Sequence, residues 1–124
     1  MNKNQMSTSN QQFTFEKLVV WNVAKEALVL ILGHKARLKG IPGEVASQLE
    51  RAAVSVVCNI AEGAGRSSAN DQRNRYVIAR GEANEAAAMV EVAAIYGAIG
   101  EELHGELRGR HLSVTRMLNA MIAR

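Results

Sequence analysis

Leu18, Trp21, Leu28 and Ile31 recur at helical spacing, and Val19, Val23, Ala27 and Leu30 widen the same stripe. The spacing predicts a first helix from Phe15 to Leu32, or to Leu38 if it passes Gly33. Before it, Met1 to Thr14 is rich in Asn, Gln, Ser and Thr, and is expected to be a disordered tail pinned by Phe13 and Phe15. Gly40-Ile-Pro-Gly43 marks a turn, with Pro42 placed to open a second helix. That helix has its seam at Val45, Leu49, Ala52 or Ala53, Val56 and Ile60. Val54, Val57, Cys58 and Ala61 make its last turns apolar on a second side, which calls for a second packing partner.

A third helix is predicted from Ala69 to Ile99, roughly 45 Å long at ~1.5 Å per residue. One seam is Tyr76, Ala79, Ala83, Ala86 or Ala87, Val90, Ala94 and Gly97; another is Met89, Val92, Tyr96 and Ile99. Gly81 in mid-helix is expected to mark a close crossing, and Gly100 to end the helix. A fourth helix follows from Glu101 to Met121, with Leu103, Leu107, Val114, Leu118 and Met121 inward. Helices joined by short turns predict an all-α, antiparallel up-down-up-down four-helix bundle over residues 15–124.

Arg51 to Arg66 and the serines after it join the second and third helices. Gly63 and Gly65 are expected to stop the second helix in the left-handed cap conformation. Ser67 or Ser68 can cap the third; with Ser68 as N-cap, Asp71 stands where a capping box wants an acid.

Composition narrows the core more than the fold. Of the 124 residues 48% are hydrophobic but only 4% aromatic, so Ala, Val, Leu, Ile and Met must fill the interior. One proline and little alternating pattern argue against sheet. Net charge is +3 and the pI about 9.4, which permits nucleic-acid or acidic-protein partners without requiring either. The single cysteine, Cys58, is expected to be a small buried residue and excludes an internal disulfide. No signal peptide and no membrane-length apolar run is visible, so a cytoplasmic location is expected.

Four arginines, Arg66, Arg73, Arg75 and Arg80, stand against one acid, Asp71, between residues 63 and 80. Arg66, Arg73 and Arg80 recur every seven residues, with Tyr76 between the last two. Such a stripe can hold a phosphate backbone while the ring stacks on a base. Equally, the arginines can pair with Glu50, Glu62, Glu82 or Glu85. Asn59 and Glu62, polar in an apolar stretch, need partners; Arg51, Arg73 or Arg80 can supply them, in a structural network that fixes register. His34, Lys35, Arg37 and Lys39 suit the C-terminal dipole of the first helix or an anion. Glu101-Glu-Leu-His104 holds one Glu-x-x-His, but a carboxylate-bridged metal bundle needs two, so no metal or other cofactor is expected. His104 and His111 are expected to face solvent.

Arg51, Asn59-Ile60-Ala61-Glu62-Gly63, Gly65-Arg66, Tyr76, Ile78-Ala79-Arg80-Gly81 and Glu85 together resemble the four-helix-bundle family of the large-subunit (23S) rRNA intervening-sequence protein. The likeness in helical layout spans about residues 13–122. The accessory variability protein of diversity-generating retroelements is a more distant member of that group. Here Val57-Cys58 replaces the family's Pro-Ser, Ala64 an aromatic, and Glu82 a serine, changes that remove a kink and alter the turn and the crossing. The resemblance implies a homopentameric ring without catalysis, with Glu85 in the structural network of Arg51, Asn59 and Glu62. For the retroelement relative it implies basic surfaces that bind nucleic acid and a reverse transcriptase. A ring would cover the surplus apolar faces. Two functions follow as expectations: a non-enzymatic oligomer binding RNA or DNA through its arginines, beside a partner enzyme, or an adaptor that gathers a partner protein only.

Overall fold

The computed structural model describes residues 11–124, so most of the expected tail, residues 1–10, lies outside them. Four helices run as α1 (Val19–Gly33), α2 (Gly43–Ala64), α3 (Ala69–Ile95) and α4 (Glu101–Ile122). α1 packs on α2 and α4, and α3 packs on the same two. The result is an antiparallel four-helix bundle whose lower end holds the α2–α3 turn, the start of α1 and the end of α4.

α1 begins at Val19 rather than Phe15. A 3-10 turn at Thr14–Lys17 comes first, and Leu18 is extended between the two, with φ −82° and ψ 127°. The Asn22 amide donates to the carbonyls of Glu16 and Leu18, each at 2.9 Å, and Phe15 packs on Trp21 with ring centroids 4.8 Å apart. A helical start at Phe15 would forfeit both. The buried stripe of α1 is accordingly Val20, Ala24, Ala27 and Ile31, while Val19 is exposed. The helix stops at Gly33; a 3-10 turn over Arg37–Gly40 then buries Leu38. Pro42 is the N-cap of α2, not its first residue.

α2 buries Leu49, Ala52, Ala53, Val56 and Ile60, as its spacing predicts, and leaves Val54 and Cys58 exposed. Cys58 lies on a side of α2 that nothing among the described residues covers, so it is not the buried small residue expected. Neither Gly63 nor Gly65 is left-handed: Gly65 has φ −89°, and Gly97, at φ +73°, is the residue that breaks out of α3. Gly63 serves close approach instead. A Cβ there would lie 2.7 Å from Tyr76 Cε1.

α3 opens as expected, with Ser68 as N-cap and the Asp71 amide donating to its Oγ at 3.1 Å. It buries Tyr76, Ala79, Ala83, Ala86, Val90 and Ala93; Ala94 and Gly97 fall outside that seam. Gly81 is exposed, and a Cβ there would touch nothing, so it marks no crossing among the described residues. Gly100 is the N-cap of α4, not the end of α3. On α4 the seam is Leu103, Leu107, His111, Val114 and Leu118. Two apolar clusters form the core, one around Leu49, Val90 and Leu107, the other around Ile60, Tyr76 and Leu118. His111 lies on α4 at their junction. It is only 3% exposed, contrary to its expected place in solvent.

Candidate nucleic-acid interface

Ion pairs stitch the flanks of this bundle. Lys35 meets Glu50 at 3.0 Å between the α1–α2 turn and α2. Arg110 meets Glu26 at 3.3 Å between α4 and α1. Arg51 on α2 meets Glu85 at 2.8 Å and Glu82 at 3.4 Å on α3; the Glu85 hydrogen bond, above all, raises the Arg51 guanidinium above its ordinary value. Lower on that flank, Glu62 takes both Arg66 and Arg75, the latter at 3.3 Å. Arg75 also donates to Asn59 Oδ1 at 3.4 Å, and the Asn59 amide donates to Ser55. The expected network thus divides in two: Arg51 with Glu82 and Glu85, and Asn59 with Glu62, Arg66 and Arg75.

The α3–α4 flank is different at its lower half. Arg73 donates to the carbonyls of Ile122 and Arg124, each at 3.3 Å, and to Asn70 Oδ1. Arg80 donates to Asn119 Oδ1 at 2.9 Å. No Asp or Glu among the described residues pairs with Arg73 or Arg80, and Arg80 rests on a neutral amide oxygen. Carbonyls at the end of α4 are orphaned acceptors at the negative end of a helix, which is why arginines settle there. Further up the flank, Glu91 accepts from His104 and Arg108, both at 2.9 Å. The His104 bond, then Arg108, holds the Glu91 carboxyl below its ordinary range. His104 is therefore a half-buried structural partner, not a solvent group.

Tyr76 does not join the arginines on the surface. Its side chain is 4% exposed and lies in the lower core against Gly63. Burial raises its phenol above the ordinary value, so it is a neutral donor at physiological pH. A ring in that place cannot stack on a base, which corrects the expectation drawn from its position between Arg73 and Arg80. Helical geometry explains the error: the arginines flank the buried stripe that Tyr76 begins.

Sequence reasoning missed α4. Residues 107–124 hold Arg108, Arg110, Arg116 and Arg124 and no acid, a bias as visible as that of residues 63–80. Arg108 and Arg110 are spent on Glu91 and Glu26; among the described residues Arg116 and Arg124 have no acidic partner. Arg73 and Arg80 on α3, Arg116 on α4 and Arg124 just after it are thus four arginines with no Asp or Glu partner among the described residues. A field of this kind attracts polyanions at long range and suits phosphate contacts rather than base readout. Among the described residues no three His, Cys, Asp or Glu side chains gather as a metal site, and no helix is long and apolar enough to cross a membrane.

Comparison with known proteins places this architecture. A search of curated proteins finds no match. Among solved structures, a protein with unknown function from the S23 ribosomal protein family of Bacteroides thetaiotaomicron VPI-5482 superimposes with a TM-score of 0.78 at 24% identity, over 86% of this chain and 100% of that one. It shares the fold. The family model of the 23S rRNA-intervening sequence protein matches residues 16–120, nearly the whole bundle including both arginine-bearing helices, and the chain belongs to that family.

Proposed function

We propose that this protein is a non-enzymatic, self-associating helical bundle that binds nucleic acid through the lower α3–α4 flank. The observation that carries the proposal is that neither Arg73 nor Arg80 pairs with an Asp or Glu among the described residues, and that Arg80 is held by the neutral Asn119 Oδ1. A guanidinium fixed in position but not paired with a side-chain carboxylate is ready for a phosphate, whereas Arg51, Arg66 and Arg75 already hold carboxylates. The family's name joins it to 23S rRNA, which makes structured RNA the first ligand to try, with DNA as the comparison. Self-association is supported by exposed apolar side chains on several faces, including Val19, Val29, Ile95 (82% exposed) and Tyr96. A ring of five copies, as the resemblance implies, would repeat the arginine flank and multiply a weak contact. A reverse transcriptase or similar enzyme is the kind of partner such an accessory would serve.

The test is fluorescence anisotropy of a labelled RNA hairpin and a matched DNA duplex over a salt series, with light scattering for subunit number. Arg73→Glu with Arg80→Glu should lower affinity by about tenfold or more and flatten the salt slope by roughly one unit per arginine. The oligomer should persist. Flat titrations at low salt with folded protein would overturn the proposal and leave the adaptor function, in which a protein partner engages the apolar faces.

A further inference from the structure

A cleft of about 300 Å³ opens at the lower end between Leu18, the first turns of α3 and the last turn of α4. Leu18 and Met121 give it apolar sides, Arg73 and Arg124 a cationic rim, and Tyr76 lines it. The Tyr76 phenol, on a side chain 4% exposed, has no hydrogen-bond partner among the described residues; burial alone shifts it. Trp21 Nε1 is the one side-chain polar atom there both sealed from solvent and unpartnered. The Tyr76 hydroxyl is not among the sealed, unpartnered atoms, and its side chain lines the cleft. A phenylalanine would fill the same core space without leaving a hydroxyl unsatisfied.

We infer that this cleft takes one unpaired nucleotide of a bound RNA, an inference that rests on the nucleic-acid function proposed above. The chemistry matches part by part. A base is flat and apolar on its faces, and Leu18 and Met121 cover them. Its edge carries donors and acceptors, which the Tyr76 hydroxyl can meet. Gln72 can do likewise, because its amide nitrogen already donates to the Gly63 carbonyl at 3.1 Å and its oxygen is left to accept. The attached phosphate meets Arg73 and Arg124 near the positive end of α3. At about 300 Å³ the cleft is at the small end of ligand sites, and a base stacked in a duplex cannot enter it. Loops, bulges and strand ends present bases that can.

Two variants test this without disturbing the arginines. Tyr76→Phe keeps the ring against Gly63 and removes the hydroxyl; Ala69→Trp plugs the mouth from an exposed position. Anisotropy compares an RNA hairpin with an unpaired loop against the same stem closed as a duplex. The hairpin should bind about tenfold more tightly than the duplex, the effect of seating one base. Each variant should erase that preference and leave duplex affinity and salt slope unchanged. Adenosine and uridine 5′-monophosphate, titrated into isotope-labelled protein, should shift the resonances of Gln72, Arg73 and Tyr76. If both RNAs bind but the preference is absent or survives both variants, the cleft inference falls and the arginine flank stands. If neither RNA binds, the arginine function falls, and the monophosphate shifts alone decide the cleft: shifts at those residues keep it as a nucleotide site, and none retires it.

Discussion

On its α2 side, α3 meets Arg51 with Glu82 and Glu85 and lays Arg75 on Glu62. On its α4 side, Arg73 and Arg80 reach backbone carbonyls and the Asn119 amide. The same residue type, a few positions apart on one helix, pairs with a carboxylate side chain on one flank and with none on the other. A local count of arginines therefore says little about where a polyanion binds; what matters is which carboxylates the fold brings within reach. The fold supplies them between α2 and α3 and withholds them along the lower part of α4, which has no acid after Glu106.

The largest effect is expected where α2 and α3 touch. Gly63→Ala places a methyl group 2.7 Å from the Tyr76 ring, inside the lower core. Overpacking of this kind costs about 1–3 kcal/mol, read as a lower midpoint in chemical denaturation. It should also spread the α2–α3 flank and loosen the Glu62 pairs. Gly81→Ala is the counterpart on the same helix pair. Its Cβ would meet open space, so the change should stabilise the chain by up to ~1 kcal/mol through helix propensity. Dissociation of the oligomer by that variant would instead place Gly81 between copies.

Next comes the direct exchange between flanks. Arg73→Glu with Arg80→Glu should weaken RNA binding by about tenfold or more, because each reversal removes a phosphate contact and adds repulsion. Arg66→Glu with Arg75→Glu reverses as many charges but strikes arginines already held by Glu62. It should weaken RNA binding only by about threefold, while lowering the denaturation midpoint through repulsion at Glu62. Equal losses from the two pairs would dissolve the distinction between flanks.

The core and the helices were legible in the sequence because apolar spacing encodes them; α2 and most of α3 bury the residues their periodicity names. What failed was set by geometry between helices. The α1 stripe shifted because Phe15 and Asn22 form contacts that stop the helix at Leu18. Tyr76 stood both on the seam its periodicity names and between two arginines; the pairing of α2 with α3, which sets its ring on Gly63, bears out the seam and not the base-stacking role. His111 reads as polar and is buried because it continues the Leu103–Leu107 register. Of the candidate site, Arg73 and Arg80 were visible and Arg124 was not, since its place beside Arg73 depends on where α4 ends. No spacing rule reports which arginine finds an acid on another helix.

His111 yields a pH limb independent of both flanks. Burial pushes its imidazole below the ordinary value, against the opposing effect of the bond from Nδ1 to the Leu107 carbonyl at 2.8 Å. The unfolded chain then binds the proton more readily, so this contribution is complete above pH ~6.5 and lost as pH falls below it. Denaturation midpoints should decline from pH 7 to 5, and His111→Leu should flatten the decline.

The smallest effect is expected at Arg51, although it makes the most acidic contacts. It reaches Glu85 and Glu82 across the α2–α3 flank, yet more than half of its side chain is in solvent. Exposed pairs gain little, because water screens the attraction and two long side chains must be held still. Arg51→Ala should leave the midpoint unchanged at physiological salt and lower it detectably only at low ionic strength, where screening weakens. It should also leave RNA affinity nearly unchanged, since Arg51 brings no free charge to the surface. The same substitution at Arg80 removes a cation with no acid beside it, and should do the reverse: little change in stability and a measurable loss of binding.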